Sequence, residues 1–207
     1  LQQCSARGIR AAFIASAGYR EAGSAGEQEE RDLLQLAADL NMLIAGPNGQ
    51  GVVSTPVSMC AQIVGPYPPQ GGISVASQSG NFVSSFLNYA RQTGVGIARA
   101  ISAGNAAQIS VGDYLKWFAQ DAETRVSLAY IESVNDGKAL EASFTLATQS
   151  KPLVVVKGGA TESGSRAAQS HTGALASNDK IFDGLCRSTG ATRAKTVEEG
   201  FDIAASF

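Results

Sequence analysis

The sequence predicts an α/β protein built on a parallel sheet with helices on both faces. Three observations carry this prediction. Short runs rich in Val, Ile and Ala alternate with helical patterns, glycine-bearing polar strings follow those runs, and 207 residues suffice for one large domain or one plus part of another. At least four strands each lead into a helix, which implies parallel pairing through crossovers. Ligands of such sheets bind beyond the carboxyl ends of the strands.

The elements follow in order. The chain opens on a helix-like stretch and without Met, so it is expected to be a piece of a longer polypeptide. Residues 9–15 form the first strand candidate. A helix is expected over 26–40, where Leu33, Leu34, Leu36, Ala37 and Leu40 mark one face. Residues 42–45 make a short strand running into Gly46-Pro47-Asn48-Gly49. The rhythm then breaks, and Gly65-Pro66-Tyr67-Pro68-Pro69-Gln70-Gly71-Gly72 can neither hold a helix nor supply many sheet donors. The expected division is therefore a first domain over 1–55, a linker over 56–70 and a second domain over 71–207. In the second domain strands are predicted at 73–76, 97–101, 126–131, 153–157 and 191–193. Helices are predicted from about 81 to 92, then over 111–120, 136–149 and 178–188, and from Thr196 onward.

Composition excludes several classes. The net charge is only -2, which argues against a dedicated nucleic-acid binder, a class that carries a basic stripe or patch. No apolar run approaches the roughly 20 residues of a membrane helix, and the start lacks the charged leader and apolar block of a signal peptide. Three scattered cysteines read as reduced thiols of a cytoplasmic protein, and one histidine without paired cysteines leaves no structural zinc site.

In the second domain the strings that could do chemistry all fall at strand carboxyl ends, on one edge of the sheet: 77–81, 102–105, Glu132 and 158–172. Ser77-Gln78-Ser79-Gly80-Asn81 lies between a strand and a helix, where free N–H groups and the helix dipole suit a phosphate; it equally suits a plain helix N-cap. Glu132 ends a strand and could orient an imidazole, or simply cap the next helix. The stretch from Gly158 to Ala174 is longer than a connector requires and carries Arg166 and His171, with Ser170, Thr172 and Gly173 beside the histidine. A neutral imidazole with one free nitrogen can accept a phosphoryl group, and small neighbours leave room for it. Ser16-Ala17-Gly18-Tyr19-Arg20-Glu21-Ala22-Gly23 and Gly46-Pro47-Asn48-Gly49-Gln50-Gly51 follow the two strands of the first domain. Either could be a turn or a cofactor contact.

Taken in order, SAGYREAG (16–23), GPNGQG (46–51), SQSGN (77–81), SAGN (102–105), YIES (130–133) and SHTGALA (170–176) resemble the NDP-forming acyl-CoA synthetases, the superfamily of succinyl-CoA synthetase and ADP-forming acetyl-CoA synthetase. The resemblance covers nearly the whole chain. It implies the C-terminal part of a Rossmann-like CoA-binding domain, followed by a flavodoxin-like ligase domain. It also implies interconversion of acyl-CoA, ADP and phosphate with acid, ATP and CoA through a phosphohistidine. On this resemblance His171 is the phosphorylated residue and Glu132 its partner. Ser77, Gln78, Ser79, Gly80, Asn81, Gly104, Asn105, Ser170, Thr172 and Gly173 handle phosphate or acyl phosphate. Ser16, Gly18, Glu21, Pro47 and Asn48 touch CoA. The implied cofactors are CoA and ATP or ADP with Mg²⁺, the nucleotide being held mainly by an ATP-grasp domain or subunit outside this chain. A homo- or hetero-oligomer is implied, with no nucleic acid and no membrane. Gly49 stands where succinyl-CoA synthetases carry a cysteine, which points to the acetyl or acyl branch. The competing reading is a CoA- or acyl-CoA-binding sensor module of a related protein acyltransferase. An unrelated flavodoxin-like nucleotide binder would leave the SHTGA string unexplained.

Overall fold

The computed structural model describes residues 1–159 and 179–207. The elements run α1 (Gln2–Ala6), β1 (Ala11–Phe13), a 3-10 turn (Arg20–Ala22), α2 (Ser24–Asp39), β2 (Leu43–Ala45), β3 (Gly51–Ser54), a second 3-10 turn (Thr55–Val57) and β4 (Met59–Gln62). Then follow β5 (Gln70–Ser77), α3 (Gly80–Thr93), β6 (Ile97–Ser102), α4 (Val111–Gln120), β7 (Val126–Ile131), α5 (Gly137–Ser150) and β8 (Leu153–Lys157). The last three are α6 (Asp179–Thr189), β9 (Thr192–Ala194) and α7 (Val197–Ala205).

Among the described residues β1 and β2 pair in parallel as a small separate sheet, and seven strands form a larger one in the order β4-β3-β6-β5-β7-β8-β9. From β6 to β9 all neighbours are parallel. In chain order those five strands read 2-1-3-4-5, the doubly wound order of flavodoxin-like folds. The chain leaves β5 for β6 on one side and returns past it to β7 on the other. The gap between the carboxyl ends of β5 and β7 is therefore a topological switch point, where such sheets open a ligand crevice.

Near-continuous apolar strands explain the two-sided cover. Val75, Leu128, Val154 and Val156 face α3 and α7, where Phe82, Phe86 and Phe201 pack in one cluster. Ala76, Ala129, Ile131, Leu153 and Val155 face the other way, against Leu115, Phe118, Phe144 and Phe182 of α4, α5 and α6. The helices begin where the sequence supplies caps. Ser110 and Asp113 form a reciprocal capping box on α4, Asp136 caps α5 by accepting from Ala139 N–H, and Thr196 caps α7 by accepting from Glu199 N–H.

One expectation is corrected. The segment 51–62, assigned partly to the first domain and partly to a linker, is a β-hairpin on the edge of the large sheet. β3 pairs antiparallel with both β4 and β6. Its connection runs through Pro56 and a left-handed Ser58 (φ 53°), not through the Asn-Gly or Asp-Gly turn that announces a hairpin in sequence. Only about 63–69 remains as connecting chain before β5.

Candidate functional site: the carboxyl rim of the sheet

The SQSGN string leaves β5 and enters α3. Ser77 is fully buried, and its hydroxyl donates to Ser79 O (2.7 Å) and accepts from Ser79 N–H (2.9 Å), closing the turn. Ser79 is the N-cap residue of α3 yet makes no side-chain cap bond, so the N–H groups of the first helical turn are left without one. Gly80 makes room for a neighbour: a Cβ there would fall 2.3 Å from the Gln50 side chain. Exposed Asn81 accepts from Gln50 Nε2 (3.3 Å), and Ser84 Oγ donates to Gln50 Oε1 (2.8 Å). Thus Gln50, from the GPNGQG string, braces the helix tip.

Glu132 follows the end of β7. Tyr130, two residues earlier, stacks on Phe82 of α3 (centroids 4.6 Å apart), so the pleat places Glu132 on the α3 side of the sheet, the side that carries the helix tip. Gly158, the first residue after β8, lies beneath it. A Cβ at 158 would come within 2.7 Å of the Tyr130 hydroxyl and 2.9 Å of Glu132 Cγ. Burial pushes the Tyr130 phenol up from its ordinary value, and the neighbouring Glu132 charge pushes it further. The sheet thus gathers the α3 tip, Glu132 and the exit of β8 at one rim. His171, Ser170, Thr172 and Gly173 lie outside the described residues.

Gln78, expected to handle phosphate, turns its side-chain amide to the backbone beyond β7. Its Oε1 accepts from Glu132 N–H (2.7 Å) and Ser133 N–H (3.0 Å), its Nε2 donates to Ser133 O (3.1 Å), and its own N–H donates to Tyr130 O (3.2 Å). In this structure the side chain spans the switch point.

The SAGN string meets the first unit. Gly104 (φ +56°) lies so close to the 46–51 loop that a Cβ would fall 2.2 Å from Pro47 O. Asn105, 7% exposed, donates through Nδ2 to Glu21 Oε2 (2.6 Å) and Glu30 Oε2 (2.7 Å), and accepts at Oδ1 from Asn48 Nδ2 (3.3 Å). Its N–H donates to Pro47 O (2.9 Å) and its carbonyl accepts from the Arg20 guanidinium, which also pairs with Glu30 at 3.6 Å. Glu21 Oε1 in turn takes the N–H groups of Gly18 (2.6 Å) and Tyr19 (3.2 Å). Burial works to raise the Glu21 carboxyl, but the hydrogen bonds from Asn105 and from these N–H groups outweigh it and hold the group below its ordinary range. Asn48 N–H donates to Ser16 O (3.0 Å), tying the 16–23 and 46–51 loops together. Gly104, Asn105, Gly18, Glu21, Pro47, Asn48 and Ser16 therefore meet in one junction.

Sequence reasoning missed Glu30, which lies on the helix expected over 26–40, and Lys157. Lys157 is 6% exposed at the end of β8, with Nζ donating to Gly158 O (3.3 Å) and standing 5.9 Å from the centre of the Phe182 ring. Burial pulls its ammonium below the ordinary lysine value, with Asp179 opposing that and Arg193 adding to it. A lysine closing an otherwise apolar Leu-Val-Val-Val run was the available signal for its burial. No group of three His, Cys, Asp or Glu that could hold a metal ion occurs among the described residues. None of the described helices is long and apolar enough to cross a membrane.

A flavodoxin-like sheet with an uncapped helix tip and a carboxylate at its switch point defines the class: a doubly wound α/β domain joined to a smaller α/β unit. The succinyl-CoA ligase-like flavodoxin domain matches residues 70–207, and the chain belongs to that family. It is 36% identical over 204 residues to the ADP-forming acetate–CoA ligase I of Archaeoglobus fulgidus, spanning 99% of this chain and 30% of that protein. It is 35% identical to the alpha subunit of the ADP-forming acetate–CoA ligase I of Pyrococcus furiosus, spanning 99% of this chain and 44% of that one. Among solved structures, the dinucleotide-forming acetyl-coenzyme A synthetase 1 of Ca. Korarchaeum cryptofilum, in complex with phosphate and ADP, superposes with a TM-score of 0.92 at 31% identity, covering 98% of this chain and 44% of that one. The chain thus spans less than half the length of these relatives.

Proposed function

We propose that this chain is the CoA-binding and phosphohistidine-bearing portion of an ADP-forming acyl-CoA synthetase, with acetate or another small acid as substrate. The observation that carries the reading is the meeting of the α3 tip, Glu132 and the exit of β8 on one face of one rim. Residues 1–50 are read as the remainder of a Rossmann-like CoA-binding domain and residues 51–207 as the ligase domain. The junction of the 16–23, 46–51 and 102–105 loops supports this division, since it brings both strand-end loops of the small sheet against the large one.

The residues suit the proposed groups. The first-turn N–H groups of α3 and the positive end of its dipole would hold a phosphoryl group, with Gly80 letting Gln50 pack against the tip. Glu132 would fix the tautomer of His171 and stabilise the charge that develops on the ring when Nε2 or Nδ1 takes the phosphoryl group. CoA, when bound, supplies the thiol that takes the acyl group. Loops 16–23 and 46–51 would hold it, as backbone-rich turns at strand carboxyl ends. ATP or ADP with Mg²⁺ is assigned to a partner domain or subunit of ATP-grasp type, and the assembly to an oligomer in the cytoplasm.

Incubating the intact enzyme with radiolabelled ATP and Mg²⁺ tests the reading. An acid-labile, base-stable protein label should form, vanish in His171→Asn, and form much more slowly in a folded Glu132→Gln. An unlabelled wild type that still binds CoA would instead favour the sensor module.

A further inference from the structure

We infer that Gln78 is a positioning residue for phosphoryl transfer, acting through the backbone of Glu132 and Ser133; the inference rests on the function proposed above. The chemistry of its partners fixes the orientation of the amide. Two N–H groups require the oxygen at one end, and the Ser133 carbonyl requires the nitrogen at the other. Among the described residues, 132–133 lie beyond the last paired residue of β7, where the ladder of the sheet ends. The Gln78 amide replaces that ladder with three bonds.

The direction of the grip matters. Glu132 lies on the α3 side of the sheet, against Gly158. Gln78 reaches the same backbone from the other side, where a cavity of about 180 Å³ opens between the tips of α4 and α5, lined by Gln78, Ser133, Val134, Ser110 and Leu140. Removing its amide takes three bonds from the 132–133 backbone and leaves it freer to shift toward the cavity, drawing the carboxylate away from the α3 side. A carboxylate that orients an imidazole loses its effect once displaced by about an ångström.

No other substitution mimics the amide as closely as Gln78→Glu. A neutral carboxylic acid can accept from both N–H groups and donate to Ser133 O. The ionised form keeps the two acceptor contacts but sets an oxygen against the Ser133 carbonyl. Gln78→Leu keeps the volume and removes every polar contact.

The test compares wild type, Gln78→Leu and Gln78→Glu in the intact enzyme. It reads the rate of phosphoenzyme formation from radiolabelled ATP across weakly acidic to weakly alkaline pH, the KM for CoA, and the thermal midpoint. Gln78→Leu should slow labelling by about tenfold or more at every pH, with the KM for CoA unchanged. For Gln78→Glu the labelling rate relative to wild type should climb toward one as the pH falls. Variants that label at the wild-type rate, or whose loss of labelling is matched by equal losses of CoA affinity and thermal stability, would overturn the assignment of Gln78 alone. A wild type that takes no label would overturn the phosphohistidine reading and this assignment with it.

Discussion

At residue scale the chemistry of the rim is set by hydrogen-bond supply. Glu21 shows it most directly. Its carboxylate collects N–H donors from Gly18, Tyr19 and Asn105, and its pKa lies below the ordinary value of 4.5 because these bonds favour the charged form. A carboxyl with a depressed folded-state pKa adds stability that is complete above its unfolded value and is lost as the pH falls through the folded one. Urea unfolding followed from neutral to acidic pH should therefore show Glu21→Gln less stable than wild type at neutrality, with the gap closing below about pH 4.5. A gap that stays constant with pH would mean that charge on Glu21 does not contribute. Gly158 makes the steric counterpart. Glycine is needed there because Tyr130 and Glu132 already occupy the place of a Cβ.

At the scale of elements, α3 is the helix that joins core to site. Its inner face buries Phe82, Val83, Phe86, Leu87 and Ala90, while its first turn presents the uncapped tip. Phe86 is fully buried and its ring lies 4.7 Å from that of Phe201 on α7. Truncation to alanine should cost about 3–5 kcal/mol of unfolding free energy, measurable by denaturant titration. A cost below about 1 kcal/mol would show that the α3–α7 layer can collapse around the cavity. The strands of this layer were legible before any coordinates, since apolar runs such as Val126–Ile131 and Leu153–Lys157 have the length and continuity of buried parallel strands. The helix over Val111–Gln120 was equally legible, and the structure adds the Ser110 cap that starts it. The β3–β4 hairpin was not. Four-residue strands joined through a Pro-containing 3-10 turn carry neither a long alternation nor a diagnostic turn pair, and only pairing with β6 makes them sheet.

For the whole molecule the decisive feature is the junction between the small and large sheets. Asn105 supplies one amide nitrogen to two carboxylates from different segments, with Arg20 supplying the compensating charge. Removing it by Asn105→Ala would leave Glu21 and Glu30 facing each other without their shared donor, a loss of about 2–4 kcal/mol. Hydrogen exchange should then quicken across β1, α2 and β2 while the β5–β7–β8 core keeps its protection. Equal loosening of both sheets, or of neither, would show that Asn105 does not couple them.

Local pattern by itself determined the α/β class, the βαβ order of the larger unit and the placing of the 77–81 and 102–105 strings and Glu132 at strand carboxyl ends, because periodicity and strand-to-helix turns are written in contiguous residues. Tertiary structure alone decided which of those strings meet. Glu30 joined Asn105 across 75 positions and Gln78 gripped Ser133 across 55, contacts that arise only when crossovers bring distant strand ends side by side. Residue types foretell what a side chain can bond to; the path of the chain through the sheet chooses its partner.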